Sequence, residues 1–409
     1  MKSDLDRLMA EADLEAIVVF GDKAANPYRD YLTKRSKAQG SVFKRRGEPA
    51  IFVVQSGMEI GEAQKSGLQV YTLYDFGSSD LAKQHSSAPD LYARDLFCNI
   101  LRKLEITGRV AFFGVADINM SLVQFAGLRD CLPDLEPVIG GAASALFSNA
   151  YATKDAQEIV ALKEAGRLTS QVVNETADFI SGHRASGETV VDANGVPLTI
   201  GAVKRFIRLR QIELGLDDPE ICIFGQGHDA GIAHSHGEDS EALQLGKTIV
   251  FDIYPKLTAN GYFHDMTRTW CIGHASDEVQ AAYDDVMYVF HEAKRTFKVG
   301  QVTSTYQNMA CDYFESKGHA TARSNPGTMD GYVHSLGHGL GLNIHESPFF
   351  RQFSEDVLTP GNVFTIEPGL YYPDRGFGIR VEDTVYLDND GTLHTLTDAP
   401  YDLVLPLKG

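Results

Sequence analysis

Two aspartates in the middle of the sequence fall where their neighbours predict buried β-structure. Asp252 lies near the end of an apolar, β-branched run at 248–253, and Asp265 lies inside a second run at 261–270. Such runs predict two paired strands, and the Pro, Asn and Gly between them predict a turn. A buried carboxylate needs a cation or a proton beside it. Taken alone, the two residues are also compatible with aspartates that cap turns at strand ends.

Two glutamates repeat this pattern near the end of the sequence. Glu367 lies in the run VFTIE at 363–367, and Glu382 lies in the run IRVEDTVYL at 379–387. The alternation of side chains along a strand places each glutamate inside, among apolar neighbours. Four carboxylates that converge on one site repel one another too strongly to stay ionised without added positive charge. Two divalent cations would balance the four charges.

Three histidines lie between the two acidic pairs, in the glycine-rich segment HSLGHGLGLNIHESP. They are His334, His338 and His345, and the glycines around them let backbone and side chains approach closely. One imidazole with four carboxylates is a hard, oxygen-rich ligand set rather than a structural cysteine site. We therefore expect two divalent metal ions per chain, with Mn preferred and Co, Zn or Fe as alternatives.

These residues and their flanking sequences resemble the pita-bread metallopeptidases, a family that includes Xaa-Pro aminopeptidases, prolidases and methionine aminopeptidases, with creatinase as a metal-free relative. The resemblance covers roughly residues 152–407. It implies five metal ligands, namely Asp252, Asp265, His338 in GHGLG, Glu367 in TIEPGLY and Glu382 in GIRVED. One departure is that the connection between the two aspartates, at 255–260, is about two residues longer than the common pattern. The departure concerns the loop and leaves the ligands in place.

The resemblance also implies roles for the remaining histidines. A histidine shortly before the first aspartate strand contacts the substrate or the tetrahedral intermediate, and we expect this to be His236, in HGEDS, in preference to His234. His345 is similar to a second such histidine. His334, which begins the H-x-x-x-H pattern, is expected to support substrate binding. Donors of this kind stabilise a developing oxyanion.

Three further residues have expected parts in catalysis or specificity. Glu367 would accept a proton from the metal-bridging water and return it to the leaving amine. Arg380, two residues before Glu382, would hold that carboxylate in a bridging pose. Arg351 is the only arginine between the last histidine and Glu367, where prolidases often bind the free carboxylate of a dipeptide. An exposed arginine at the rim of the site is the alternative for Arg351.

The sequence therefore predicts a metal-dependent exopeptidase that uses a metal-bridging hydroxide to cleave the bond before proline. The substrate would be an Xaa-Pro dipeptide or the N-terminus of a longer peptide, and both stay open. Two other classes also stay open. One is a protein of the same fold that acts on a different small molecule, as a C–N hydrolase or a lyase. The other is a non-catalytic peptide-binding relative, although such a protein would be expected to lose ligands.

Composition and charge restrict the class of protein further. The chain has 409 residues, 43% of them apolar, and a formal charge of −18. So negative a surface argues against nucleic acid and anionic membranes as partners. We find neither an apolar signal segment nor a run long enough to span a membrane, so we expect a cytoplasmic protein. The five cysteines are scattered and odd in number, which predicts that they are reduced and buried.

Helices and strands alternate along the whole sequence, which predicts an α/β class with two domains, 1–150 and 151–409. The second would be the pita-bread catalytic domain. It would begin with a long helix whose N-terminus has a capping box formed by Asp155 and Glu158. The resemblance implies that the first domain mediates a homodimer and overhangs the active site.

Overall fold

A computed structural model describes residues 2–21, 26–115, 117–218 and 222–408. It divides into two compact units, Met1–Tyr151 and Ala152–Gly409. Each unit has its own sheet and its own apolar core. Within these described ranges, we find no helix that is long and apolar enough to cross a bilayer.

The first unit is built on one six-stranded mixed sheet. Its strands are β1 (Ala16–Gly21), β2 (Gly40–Arg45), β3 (Ile51–Val54), β4 (Gln69–Thr72), β5 (Gly108–Val115) and β6 (Leu135–Val138). Its helices are α1 (Leu5–Glu11), α2 (Pro27–Thr33), α3 (Ile60–Ala63), α4 (Ser78–Gln84), α5 (Pro89–Lys103), α6 (Ile118–Ala126), α7 (Leu128–Cys131), α8 (Gly141–Ser144) and α9 (Leu146–Ala152). The strand order is β4-β3-β2-β1-β5-β6. Strand β1 is antiparallel to β2 and parallel to β5, which confirms the predicted α/β class with a mixed sheet.

The cysteines of this unit differ from the prediction. Cys98 in α5 and Cys131 in α7 form a disulfide, with their Cα atoms 6.1 Å apart. The expectation that all five cysteines are reduced was wrong for this pair, because packing of α5 near α7 brings together two residues that are 33 positions apart in sequence. Cys222, Cys271 and Cys311 are free and buried, as expected.

In the described part of the second unit there are four long helices and several short sheets. The helices are α10 (Ala156–Ser181), α11 (Ile200–Glu213), α12 (Asp277–Thr296) and α13 (Ser304–Ser316). The strands are β7 (Arg184–Ser186), β8 (Thr189–Val191), β9 (Leu216–Asp217), β10 (Ile223–Gln226), β11 (Thr248–Ile253), β12 (Lys256–Leu257), β13 (Met266–Ile272), β14 (His338–Gly339), β15 (Glu346–Phe349), β16 (Val363–Ile366), β17 (Gly369–Tyr372), β18 (Phe377–Arg380), β19 (Asp383–Leu387), β20 (Leu393–Thr395) and β21 (Val404–Leu405).

Two helix-on-sheet halves make up the core of this unit. In one half, α10 and α11 cover the sheet β10-β11-β13-β21, and Val172 and Ile207 pack with Phe251 in one apolar cluster. In the other half, α12 and α13 cover the sheet β15-β14-β16-β19-β20, where Phe290 packs with Phe364. Each helix buries its apolar stripe against a sheet face, so the polar residues of the site come from the sheets.

The predicted strands around the acids are shorter and more broken than the sequence suggested. Strand β13 begins at Met266, so residues 261–265 lie outside it, and the short strand β12 before them pairs with β9. The predicted strand 379–387 is interrupted between β18 and β19, which pair with different partners. The capping box at the start of α10 is confirmed by bonds in both directions between Asp155 and Glu158.

Candidate metal centre

Two antiparallel strands of the first sheet bring the two aspartates together. Asp252 in β11 lies opposite Thr267 of β13, and Asp265 directly precedes β13. Both side chains are buried, and one oxygen of each, Oδ1, has no hydrogen-bond partner. Thr267 and Thr269 follow Asp265 on the same face and bond to Glu382 and to the backbone of Arg380. This face is therefore polar although the strands around it are apolar.

The second sheet supplies the histidine and the two glutamates. His338 lies at an irregularity of β14, where the register shifts between His338 and Gly339. Added Cβ atoms at Gly337 and Gly339 would collide with backbone carbonyl oxygens, so glycine is required on both sides of the histidine. Glu367 follows the last residue of β16. Glu382 lies in the break between β18 and β19, where its backbone N–H donates to the carbonyl of Thr267.

The acids and the histidine converge inside the second unit. Ligand atoms of Asp265, His338 and Glu382 all lie within 4.8 Å of one another. The Nε2 atom of His338 is 3.6 Å from Oδ2 of Asp265 and 3.3 Å from Oε1 of Glu367. Asp252 adds to this negative field, because its charge is among the causes that raise the pKa of Glu382.

The electrostatics of this cluster fit a divalent cation. Burial, together with the other carboxylates, raises the pKa of Asp265 and of Glu382 well above the ordinary values. Burial first and then the charge of Asp252 raise the pKa of Glu367 to about 8, against the opposing pull of Arg380. Three carboxylate oxygens, on Asp252, Asp265 and Glu382, are buried without a partner. Unpartnered buried carboxylate oxygens are costly unless a cation or proton compensates them.

The orientation of His338 also suits a metal. Its Nδ1 atom lies 3.1 Å from the carbonyl oxygen of Gly339 and donates its proton there, which leaves Nε2 unprotonated and directed at the acids. Burial first, with the nearby His345, lowers the pKa of His338 to about 3. The imidazole is therefore neutral at physiological pH, as a ligand must be.

Arg380 is bonded to two of the acids, one of them through a threonine. Its Nη2 atom donates to Oδ2 of Asp252 at 2.6 Å. Its link to Glu382 runs through Thr267. The hydroxyl of Thr267 accepts from Arg380 Nε at 3.1 Å and donates to Glu382 Oε2 at 2.7 Å. Arg380 therefore contacts Asp252 directly and Glu382 through Thr267, and its expected part in holding Glu382 stays a prediction. Arg380 Nη1 also donates to the hydroxyl of Tyr371 at 2.6 Å.

Two other histidines lie beside this network. The Nε2 atom of His334 is 2.8 Å from the hydroxyl of Tyr371, and its Nδ1 is 3.9 Å from Glu367 Oε2. Burial, followed by the charge of Arg380, lowers the pKa of His334 to about 3. His345 is exposed, and its ring centre is 4.4 Å from that of His338.

His234 and His236 both have exposed side chains in the segment before β11. His236 is exposed, and its Nδ1 atom lies 3.4 Å from the backbone carbonyl of Cys222. His234 directly follows Ala233, whose carbonyl accepts a hydrogen bond from Arg380. Its charge is also among the causes that lower the pKa of His334. The expected preference for His236 over His234 stays a prediction.

Arg351 lies at the surface. Its guanidinium stacks on the ring of Phe349, 4.3 Å from the ring centre, and the side chain is exposed. This placement is compatible with the alternative stated above, an exposed arginine at the rim, as well as with capture of a free carboxylate.

The sequence analysis did not identify two hydroxyl residues of this site, Tyr371 and Thr365, or one buried ion pair near it. Tyr371 joins Arg380 to His334, and Thr365 donates its hydroxyl proton to Glu367 Oε1 at 3.1 Å and accepts from the backbone N–H of His338. The one available signal was the spacing, because Thr365 in β16 lies two residues before Glu367 and alternation would direct both side chains to the same side. The ion pair between Lys154 and Glu346 was also missed, since 192 residues separate its members.

The two halves thus define a protein with a buried centre of carboxylates and neutral histidine suited to divalent cations. Residues 160–389 match the family model described as metallopeptidase family M24. That match spans more than half of the chain, so the chain belongs to metallopeptidase family M24.

Relatives and solved structures agree with this assignment. The chain is 28% identical over 252 residues to "Probable dipeptidase PepE" of Mycobacterium bovis, which is 62% of this chain and 60% of that protein. It is 33% identical over 178 residues to an Xaa-Pro dipeptidase of Pyrococcus furiosus, or 43% of this chain and 47% of the relative. The match to these curated relatives thus spans no more than about 60% of their length.

Two solved structures resemble the fold over nearly the full chain. An Xaa-Pro dipeptidase from Bacillus anthracis has a TM-score of 0.76 at 20% identity, with 99% of both chains covered. An X-Pro aminopeptidase from Thermotoga maritima has a TM-score of 0.76 at 21% identity, with 98% of this chain and 100% of the other covered. These likenesses confirm the predicted pita-bread fold.

Proposed function

We propose that this protein is a dinuclear-metal exopeptidase that hydrolyses the peptide bond before proline. The observation that carries the proposal is the buried carboxylate cluster, in which three oxygens lack a partner beside a neutral His338. Such a cluster is stable as a set of anions only when cations neutralise it. The names of the similar proteins, Xaa-Pro dipeptidase and X-Pro aminopeptidase, support proline as the second residue of the substrate.

Five residues would hold the two ions: Asp252, Asp265, His338, Glu367 and Glu382. Divalent ions held there lower the pKa of a bound water and polarise the scissile carbonyl, and Mn is our first choice for an oxygen-rich site. The hydrogen bond from Arg380 to Asp252 and that from Thr267 to Glu382 leave one oxygen of each acid free for a ligand bond. These two donors therefore orient the carboxylates.

Glu367 is the residue that moves the proton. Its side chain is 16% exposed, against 7% for Asp265, so it is the more accessible of these two acids. The hydroxyl of Thr365 fixes Oε1, and Oε2 faces His334. Glu367 accepts the proton of the attacking water and returns it to the proline nitrogen, which leaves as an amine.

Histidines bind and orient the substrate. His345 is exposed beside His338, so its ring N–H can donate to the scissile carbonyl oxygen as that oxygen becomes negative. His236, or else His234, which follows the Ala233 carbonyl bonded to Arg380, would bind the peptide backbone. His334 is held by Tyr371 and supports Glu367 rather than donating to the oxyanion.

The length of the peptide depends on Arg351. A dipeptide has a free carboxylate on its proline, and the planar donors of a guanidinium match its two oxygens. Arg351 is exposed and stacked on Phe349, so it is available to an incoming carboxylate. We keep dipeptidase and aminopeptidase as the two forms of the proposal.

A panel of peptides tests the proposal. The protein is loaded with Mn and given Ala-Pro, Ala-Pro-Ala, Ala-Ala and creatine, with Asp265→Asn as the inactive control and Glu355→Gln, at an exposed acid, as the matched control. We expect release of alanine only from the two proline peptides, by the wild type and Glu355→Gln. Cleavage of Ala-Ala at an equal rate, or of creatine alone, would replace the proposal with one of the alternatives. Undiminished activity of Asp265→Asn would reject the site.

We also propose a homodimer that forms through the first unit. Helix α6 is mostly apolar, yet none of its residues is buried. Ile118 is 77% exposed and Leu122 is 61% exposed, and Ile139, on a neighbouring segment, is 93% exposed. Exposed apolar patches of this kind mark interaction sites. The cytoplasmic localisation and the overhang of the active site stay predictions.

A further inference from the structure

A buried ion pair joins the beginning of the second unit to the segment that carries His345. The Nζ atom of Lys154 lies 2.8 Å from Oε2 of Glu346, and each side chain is only 2% exposed. Glu346 directly follows His345 and begins β15. A fully buried pair adds little net stability compared with apolar packing, but its geometry is specific. Net stabilisation therefore does not explain why a buried ion pair lies at this position.

The carboxylate of Glu346 binds the short loop that precedes it in the chain. Its Oε1 atom accepts hydrogen bonds from the backbone N–H of Asn343 at 2.9 Å and from Asn343 Nδ2 at 3.1 Å, while Oε2 accepts from Lys154. The backbone N–H of Gly341 donates to the carbonyl of Asn343 at 3.0 Å. An added Cβ at Gly341 would lie 2.6 Å from Glu346 Oε2 and 2.9 Å from Lys154 Cε, so the ion pair packs directly against the loop.

The backbone of Lys154 is held in place by contacts of its own. Its backbone N–H donates to the carbonyl of Gly361 at 2.8 Å, and the next residue, Asp155, caps α10. The lysine is thus anchored to a rigid helix start and to a neighbouring turn. The ion pair therefore attaches Glu346, and with it the loop, to a lysine that is held in place.

The loop carries two functional groups. His345 stands next to Glu346, with its ring centre 4.4 Å from that of His338. The backbone of Ile344 is close enough to His338 to be among the causes that raise the pKa of its ring, against the larger lowering by burial. Movement of Glu346 would therefore displace His345 relative to His338 and the acids around it.

We propose that the Lys154–Glu346 ion pair is a positioning device that holds His345 in place for catalysis. The proposal rests on the role given to His345 under the proposed function. Lys154 and Glu346 are positioning residues, because they act on the reaction only through the loop. A displacement of a catalytic group by about 1 Å can lower turnover by about 10²-fold, which sets the expected effect.

A double-mutant cycle tests the coupling. The variants are Lys154→Met, His345→Ala and the two combined, with kcat and KM measured on Ala-Pro or Ala-Pro-Ala at saturating Mn. Lys154→Met should lower kcat by about 10²-fold with little change in KM. In the His345→Ala background the same substitution should lower kcat by less than about twofold, because the group it positions is already gone. An equal loss in both backgrounds would overturn the proposal.

Hydrogen exchange of the metal-loaded protein gives a readout without activity. The backbone N–H of Asn343, which donates to Glu346, should exchange faster in Lys154→Met than in the wild type. The matched control is Arg210→Met, which breaks another ion pair, between Arg210 and Glu175 at 2.5 Å, and should leave Asn343 unchanged. Unaltered exchange at Asn343 in Lys154→Met would overturn the proposal.

These two experiments separate the proposals. A protein that cleaves no peptide would reject the proposed function, whereas exchange at Asn343 would still decide whether the ion pair holds the loop. If Lys154→Met does not fold, Glu346→Gln serves in its place, since glutamine keeps the volume and one acceptor oxygen while it removes the ionic bond. The same expected and contrary results apply to that variant.

Discussion

Replacing a catalytic acid should stabilise the metal-free protein. In Glu367→Gln, a neutral amide takes the position of a carboxylate whose pKa is raised to about 8, mainly by burial and then by the charge of Asp252. The folded chain must keep this carboxyl protonated, whereas the unfolded chain ionises it. In Glu367→Gln no proton has to be bound on folding, so the free-energy cost of protonating this carboxyl disappears.

The magnitude follows from the pKa difference. The folded pKa of about 8 lies above the ordinary value of 4.5 for glutamic acid. The stability contributed by the protonated group is therefore full below about pH 4.5 and is lost as the pH rises to about 8. A difference of roughly 3.5 pKa units corresponds to about 5 kcal/mol at pH 8. Glutamine is still a buried polar group, so we expect a net gain of about 2–4 kcal/mol.

Urea unfolding of the chelated protein measures this difference. The single tryptophan, Trp270, is buried in β13, the strand that follows Asp265, so its fluorescence reports on the second unit. Glu367→Gln should exceed the wild type in free energy of unfolding at about pH 8 and should lose that advantage as the pH falls to about 4.5. Glu355→Gln, which alters an exposed acid, should match the wild type throughout. A Glu367→Gln protein that is no more stable than the wild type at pH 8 would refute the reasoning.

Three further predictions concern the substrate and assembly. His236→Ala should lower kcat on an Xaa-Pro peptide by about 10²-fold while His234→Ala changes it little, and the reverse order would transfer the role to His234. Arg351→Ala should raise KM for Ala-Pro steeply and leave that for Ala-Pro-Ala nearly unchanged; equal effects, or none, would remove the argument for a dipeptidase. Ile118→Glu combined with Leu122→Lys should give a monomer mass by light scattering, with Met58→Glu as an exposed control elsewhere in the first unit; an unchanged mass would exclude α6 as the interface.

The positions of the acids could be predicted because strand periodicity is local. Asp252 lies in β11 as expected, and the polar face that begins at Asp265 continues through Thr267. The strand ends were less predictable, because they depend on which strand pairs with which. Glu382 was expected inside one long strand, yet it lies where β18 ends and β19 begins, each paired with a different neighbour.

Contacts between distant segments could not be predicted from spacing. Arg380 was assigned to Glu382 because the two are close in sequence, but its guanidinium reaches Asp252, 128 residues away. The disulfide between Cys98 and Cys131 likewise depends on how α5 lies beside α7. Such pairings are determined by tertiary packing, and neither hydrophobic periodicity nor a sequence motif predicts them.

Metal stoichiometry tests the central claim most directly. The protein is saturated with Mn, freed of excess ion and analysed for metal per chain, together with Asp265→Asn, Glu382→Gln and the control Glu355→Gln. The carboxylate cluster predicts about two ions in the wild type and in the control, and a loss of bound metal in both site variants. No bound metal in the wild type, or unchanged occupancy when Asp265 and Glu382 are replaced, would contradict the account.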